Sequence, residues 1–320
     1  HLLTAHCPYA FRYGVEPWTF YFLNAFLNFN VVFPLALSSL FIALYFHKYN
    51  TCLRGLRSLD RLLIFSPMLL WLGIMLQPPH KEERFLYVIY PLVCFNAAVA
   101  AVLGGSVLES WACALSPTMA KKGLPARLKT AAGALLVATV LLLSVSRIAA
   151  VVVNYSAPLR VWTHLSRVEL AGNPLPGVQD VNVCVGKEWY RFPSNFFLPD
   201  RRYQLKFLES GFKGQLPAPF SDSPNATAIV HDHFNQLNME EPSRYTPLSQ
   251  CHYLVDLDLL EQQEPHYVTD TANWTRVFCD DFLDSRNSHP ILRAFWFPRL
   301  SAQHTRFNPY CLLRRRQAGA

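Results

Sequence analysis

The stretch Gln77-Pro78-Pro79-His80-Lys81-Glu82-Glu83-Arg84-Phe85 decides how this chain is read. A compact charged knot, His80 to Arg84, stands between two runs without any charge, Leu62 to Pro79 and Phe85 to Leu108. Roughly 20 apolar residues span the hydrocarbon core of a bilayer, and each run approaches or exceeds that length. Two cations, two carboxylates and an imidazole therefore belong at a membrane surface. Pro78 and Pro79 stop the preceding helix and stiffen the approach. Charges placed that close to lipid usually serve function or line a pathway.

Working outward, four apolar spans emerge at about 20–46, 62–76, 85–108 and 130–153. The first carries Asn24, Asn28 and Asn30 but no charge, and the 24/28 spacing puts two amides on one helix face. Such a face turns toward a bundle or cavity, or simply bonds a neighbouring helix. The basic residues cluster in two links. Lys48, Arg54, Arg57 and Arg61 fall in 47–61, and Lys121, Lys122, Arg127 and Lys129 in 109–129. The positive-inside rule makes both links cytoplasmic and puts residues 1–18, the knot and everything after 154 on the far side.

The charge distribution agrees. Residues 1–160 hold 13 Lys and Arg against 5 Asp and Glu, a net of +8, whereas residues 161–320 hold 16 against 17. The basic excess flanks the apolar runs, so topology accounts for it and nucleic-acid binding, which needs a basic face on a folded surface, does not. Three sequons, at Asn154, Asn225 and Asn273, all fall on the far side. Asn225 and Asn273 are the expected acceptors, because Asn154 lies too near the bilayer. Arg147 reads as a snorkelling interface residue.

The fold class expected is thus a membrane α-helical bundle, residues 1–159, followed by a mixed α/β domain, 160–320. Alternation predicts strands at Val181–Val185 and Tyr253–Asp258, with shorter candidates at Tyr203–Phe207 and Thr305–Leu313. Glu188–Phe197 holds a short helix interrupted at Pro193, and Pro217, Pro219, Pro224 and Pro242 break the middle into loop. Cys184, Cys251, Cys279 and Cys311 can form disulfides in an oxidising compartment, and spacing leaves three full pairings open. No Cys-x-x-Cys pair, zinc-binding helix motif, P-loop or dinucleotide fingerprint is present, so no metal and no cofactor is expected.

His80-Lys81-Glu82-Glu83-Arg84-Phe85, opening an apolar span, closely resembles the signature of glycosyltransferase family 22, multi-span enzymes of the GT-C class. Tyr13-Gly14-Val15-Glu16-Pro17-Trp18, the stretch from Asn182 to Pro199, Glu240 to Tyr245 and Cys251 to Asp258 resemble the members that form alpha-1,2 mannose linkages in lipid-linked oligosaccharide assembly. The resemblance implies an endoplasmic reticulum membrane enzyme, its active site and C-terminal domain luminal. It would transfer mannose from dolichyl-phosphate mannose to a dolichyl-pyrophosphate-linked oligosaccharide. It also implies that the catalytic acid lies in a first luminal loop upstream of His1. On that reading the chain is the C-terminal part of a longer protein, its catalytic residue is unknown, and these 320 residues alone are inactive.

That reaction inverts the anomeric carbon. It needs a base for the acceptor hydroxyl and cations for the departing phosphate. His80, Lys81 and Arg84 supply donors, Arg being the best match to phosphate, while Glu82 and Glu83 orient those cations or act as base. Tyr13, Glu16 and Trp18 share the knot's side of the membrane and are candidates for sugar or lipid contact, although an interfacial Trp is ordinarily a belt residue. The alternative for the knot is that its charges pair among themselves and anchor the loop. Lys187, Glu188, Trp189 and Tyr190 could face acceptor sugars, with packing the stronger expectation. Two rivals stand: a family member making an alpha-1,6 bond or acting on a glycolipid anchor, and a non-catalytic glycan-binding scaffold. Glycosylation tags inserted in 47–61 and 109–129 are expected to stay unmodified and tags in 160–320 to be modified; modification of either basic link would invert this topology.

Overall fold

The computed structural model describes residues 15–49, 51–116, 118, 121–172, 175, 177–188, 194–218, 221, 223–230, 239–259 and 265–316. The chain divides into two compact units, 1–148 and 149–320.

The first unit is helical: α1 (Phe20–Phe29), α2 (Val32–Tyr45), α3 (Ser58–Leu76), α4 (Tyr90–Leu115) and α5 (Leu124–Tyr155), the last running on past the division. Among the described residues three unbent stretches are long and apolar enough to cross a membrane: Ser58–Leu76, Glu83–Leu115 and Leu124–Tyr155. These contain the second, third and fourth expected spans. The third starts as a 3-10 turn over Glu83–Ile89 and becomes α-helical at Tyr90, with Pro91 in its first turn, where the missing N–H costs nothing.

The first expected span, about 20–46, is a bent pair of helices. Residues 20–46 do not form one helix: α1 and α2 meet at 106°. Pro34 is the cause. In a continuous helix its ring would collide with the carbonyl four residues back, that of Asn30. Asn30 instead takes φ 46° and ψ −126°, a left-handed twist that asparagine tolerates better than most residues, and its side-chain oxygen accepts the Val31 N–H at 2.7 Å. Pro34 then sits harmlessly in the first turn of α2.

The two ends of this unit are well defined. Asn30 reaches Ser144 of α5 at 3.4 Å, and the Val15–His80 bridge lies at the same end. At the other end the Phe46 ring meets Trp111 at 6.1 Å and Lys129 pairs with Glu109 at 3.0 Å. So α2 runs the length of the unit while α1 lies across it. Small residues let α2 and α4 approach closely: Ala36 and Ala43 on one, Ala97 and Ala100 on the other, all buried.

The second unit is a five-stranded mixed sheet: β1 (Val181–Val185), β2 (Tyr203–Phe207), β3 (Tyr253–Leu257), β4 (Trp274–Leu283) and β5 (Phe307–Arg315), in the order β2-β1-β3-β5-β4. β1 is parallel to β2 and β3; β5 is antiparallel to β3 and β4. Period-2 geometry splits the side chains between the faces. Val181, Val183, Val185, Tyr253, Val255 and Leu312 pack with Trp162 of α6 (Ala157–His164). Cys184, Leu254, Leu313, Val268 and Trp274 form the core on the other face. Three expected strands coincide with β1, β2 and β3, and the fourth is shifted to Phe307–Arg315. β4 was not expected. Of the helix expected in Glu188–Phe197, a 3-10 turn covers Ser194–Phe197, and residues 189–193 lie outside the described residues.

The disulfides are Cys184–Cys251 and Cys279–Cys311. Register makes the second: Cys279 and Cys311 are direct partners across β4 and β5. The first ties β1 to the entry of β3, closing a loop with a sequence separation of 67. Cross-linking a loop of that size restricts the unfolded chain by about 4 kcal/mol. The double replacement Cys184→Ala with Cys251→Ala should therefore lower the denaturant midpoint of the sheet unit markedly, followed by Trp274 and Trp162 fluorescence; an unchanged midpoint would show that the bridge adds nothing.

Candidate functional site

The knot is built by backbone contacts before any charge is considered. The Trp71 indole N–H donates to the Phe85 carbonyl at 2.9 Å, fixing the loop to α3. Lys81 is buried, at 5% exposure, and its ammonium donates to the Pro78 carbonyl at 2.5 Å. The Glu16 N–H donates to the Pro79 carbonyl at 3.1 Å, next to the Val15–His80 bridge. The segment before α1 is thus laid against the knot.

Glu82 is the electrostatic hub. Arg84 grips it as a fork, Nη2 to Oε1 at 2.9 Å and Nε to Oε2 at 2.5 Å, and His80 Nε2 lies 2.9 Å from Oε1. The hydrogen bond from His80, aided by Arg84, holds the Glu82 carboxyl below the usual carboxylate range, against the opposing effect of burial. The Arg84 side chain stays 67% exposed despite this pairing.

Glu83 lives in a different environment. Asn28 Nδ2 donates to its Oε1 at 2.7 Å and to Tyr90 Oη at 3.0 Å, and the Tyr90 hydroxyl donates to the same Oε1 at 3.1 Å. The three side chains close a ring. The Tyr90 ring packs edge-on against Phe29 at 4.7 Å, which steadies it. One carboxylate of the knot is thus neutralised by cations, its neighbour held by neutral donors.

The structure brings together His80, Lys81, Glu82, Glu83 and Arg84 as expected, but with distinct duties: Lys81 turns inward onto the loop, while Arg84 faces outward. Glu16 contributes backbone to the knot, and Trp18 is exposed and packs edge-on against Phe22 at 5.8 Å. Tyr13 lies outside the described residues. Asn28 and Tyr90 were not singled out for this site. The 24/28 spacing hinted at Asn28, but Asn24 folds back onto the Phe20 carbonyl of its own helix. Tyr90 had no sequence signal beyond its place two turns beyond Glu83.

In the sheet unit, Lys187 pairs with Asp256 at 2.8 Å and Glu188 is 4% exposed, so both are internal; Trp189 and Tyr190 lie outside the described residues. Burial pushes the Asp256 carboxyl up to about 6, with Lys187 pulling against it. Asn225 and Asn273 are exposed, as sequon acceptors must be. Asn154 is fully buried and donates to the Arg293 carbonyl at 2.9 Å. Among the described residues no three His, Cys, Asp or Glu side chains converge as a metal site would need.

A helical unit with apolar helices of membrane length and a charged knot at one end fits a membrane protein, and comparison with known proteins makes the family specific. The model of the Alg9-like mannosyltransferase family matches residues 10–199, more than half of the chain, and the protein belongs to that family. It is 41% identical to alpha-1,2-mannosyltransferase ALG9 of Mus musculus over 99% of this chain and 52% of that protein. It is likewise 41% identical to ALG9 of Homo sapiens, over 96% of this chain and 50% of that protein, and 34% identical to ALG9 of Saccharomyces cerevisiae, over 89% and 47%. The chain spans about half the length of these curated relatives. No solved structure matches.

The Asn28–Glu83–Tyr90 ring has an energetic signature. A hydrogen bond to a charged group contributes about 1.5–3 kcal/mol when shielded and less at an exposed position such as Asn28. Because Asn28 and Tyr90 share one acceptor, Asn28→Ala and Tyr90→Phe should be non-additive by about 1 kcal/mol in a double-mutant cycle of unfolding in detergent. Strict additivity would mean that the ring does not form.

Proposed function

We propose that this protein carries the donor-phosphate side of an inverting mannosyltransferase of the endoplasmic reticulum membrane. In this reading it transfers mannose from dolichyl-phosphate mannose to a dolichyl-pyrophosphate-linked oligosaccharide, forming an alpha-1,2 linkage. The linkage follows the activity for which relatives 41% identical over nearly the whole chain are named. The observation that carries the reading is the knot itself: an outward-facing guanidinium and an imidazole converge on one loop, at one end of helices of membrane length.

The knot faces the lumen, and the basic links face the cytoplasm. Helix α1, at a steep angle to α2 and rich in aromatic residues, lies along the luminal membrane surface. The sheet unit is luminal as well, where two disulfides can form and where Asn225 and Asn273 accept glycans. No metal or cofactor takes part; the lipid-phosphate sugar is the activated donor.

Mechanistically, the departing phosphate develops charge as the glycosidic bond breaks. Arg84 offers two parallel N–H groups in the planar arrangement that a phosphate accepts, and His80 adds a donor. In the resting site Glu82 occupies those groups and keeps them aligned, so the phosphate meets a guanidinium already oriented. Glu83, held by Asn28 and Tyr90 and without a cation among the described residues, is matched to a sugar hydroxyl rather than to phosphate. The base that removes the acceptor proton is not assigned to either glutamate.

Arg84 tests this directly. Losing one charge-assisted donor to a developing anion costs about 3 kcal/mol, roughly 100-fold in rate. Arg84→Lys retains the charge but not the fork, so in the full-length protein it should lose most transfer from dolichyl-phosphate mannose while the amount of folded protein is unchanged. If Arg84 only anchors the loop, as an exposed pair contributing about 0–1 kcal/mol, lysine would substitute and activity would stay near normal. That result would remove the phosphate role.

A further inference from the structure

The segment Glu240–Tyr245 is a family-like stretch that the knot does not explain, and of it Tyr245 packs against the sheet core. The structure places it beside a cleft of about 350 Å³ in the sheet unit, lined by Leu208, Glu209, Tyr245, Pro247, Leu248 and Tyr267. The cleft opens where β2 ends. The Thr246 N–H donates to the Phe207 carbonyl at 2.8 Å, so the segment carrying Tyr245 continues the sheet by a short parallel bridge. Leu208 and Leu248 supply the apolar floor that joins the cleft to the core on that face.

A connected belt of polar groups runs beside the cleft, starting from the lining residues Glu209 and Tyr245. Lys213 bonds Glu209 at 2.7 Å and Glu240 at 3.1 Å, and the Tyr245 hydroxyl donates to the same Glu240 oxygen at 2.8 Å. Burial, with Glu240 beside it, pushes the Tyr245 hydroxyl up to about 12, so it remains a donor at any physiological pH. The opposite wall is also fixed. His266, next to Tyr267, is tied to the buried Asp258 at 2.8 Å, and Val268 on its other side is 1% exposed.

These groups define a ligand by exclusion and by fit. Among the described residues the belt sets two carboxylates against one ammonium, a balance that disfavours a phosphate or another anion. Tyr245 and Tyr267 line the cleft together with the Glu209 carboxylate and the Thr246 hydroxyl, which offer acceptors and a donor beside aromatic rings. A volume of a few hundred Å³ is the ordinary size of a small-ligand site, and this lining is as polar as it is apolar, as a hydroxyl-bearing ligand needs. Aromatic faces beside a dense donor and acceptor set match a pyranose ring, whose C–H face is apolar and whose edge carries hydroxyls.

We propose that this cleft holds one hexose of a mannose-type oligosaccharide, as a glycan-binding subsite separate from the knot. The mannosyltransferase reading above supplies only the identity of the sugar; the pyranose chemistry stands on the cleft. The subsite would grip the acceptor through its sugar rather than its pyrophosphate or lipid.

The probe is alpha-1,2-linked mannobiose, free of lipid and phosphate, titrated against the full-length protein in detergent and read by saturation-transfer NMR. Transfer to the sugar ring protons is expected for the unaltered protein. Tyr267→Ala should weaken binding by about tenfold, the size expected for losing one aromatic contact. Glu209→Gln, at an exposed position where folding is not at risk, should weaken it several-fold. Arg84→Ala should leave it unchanged. No transfer at millimolar sugar, or binding indifferent to both cleft substitutions, would overturn the subsite; a loss in Arg84→Ala equal to that in Tyr267→Ala would move the sugar to the knot and overturn it too. The two readings separate cleanly: absent mannose transfer with intact mannobiose binding would defeat the proposed reaction and leave the cleft standing.

Discussion

The steric conflict between Pro34 and the Asn30 carbonyl is the constraint on which the helical unit depends. A proline at the fourth position beyond a helical residue cannot coexist with an unbroken helix there. The chain answers by turning through 106°, and that turn lays α1 across the end of the bundle. Asn28 is thereby brought to Glu83, 55 positions away in sequence. Without the break, α1 would continue the line of α2 away from the knot, and the Asn28–Glu83–Tyr90 ring would have no means to close. A backbone prohibition at one residue thus composes a side-chain network elsewhere.

The knot shows how two adjacent carboxylates are given different characters. Glu82 is saturated by Arg84 and His80, which favours its ionised form and costs little at a half-exposed site. Among the described residues Glu83 accepts from neutral donors alone, so its charge is oriented but not cancelled. Alternation of direction along the loop separates them: Glu82 is extended, with φ −131° and ψ 144°, and Glu83 begins the 3-10 turn. The inward turn of Lys81 removes a third charge from competition by spending it on the Pro78 carbonyl.

Much of this was legible in sequence because apolar runs and charge placement are strong, local signals. Three membrane-length stretches followed from the absence of charge, and β1, β2 and β3 from alternation. The break at Asn30 was equally written in the sequence, in Pro34 and in the twist-tolerant Asn four residues before it, but a reading by composition passes over it. β4 left no such trace. Its interior from Thr275 to Asp281 is partly or fully exposed, and Asp280 and Asp281 interrupt any apolar alternation. Its place is set by pairing with β5, a tertiary cause. The disulfides are similar: register, not spacing, selects Cys279 with Cys311. For Lys187 and Glu188 packing was the stronger expectation, and Asp256 on neighbouring β3 is the partner that draws Lys187 inside.

The two charged regions also differ in the physics of recognition they support. A guanidinium that is mostly exposed, held by one carboxylate in a partly wet loop, is suited to an anion whose charge is strong enough to compete for it. Its contribution depends on shielding, since an exposed pair gains little and a desolvated one much more. A lipid phosphate arriving at a membrane surface supplies both the competing charge and the exclusion of water. The Glu209–Lys213–Glu240–Tyr245 belt is already internally satisfied, so an incoming anion would have to break it for no return. A neutral hydroxyl can instead add to such a belt, because carboxylate oxygens retain acceptor capacity after binding one ammonium.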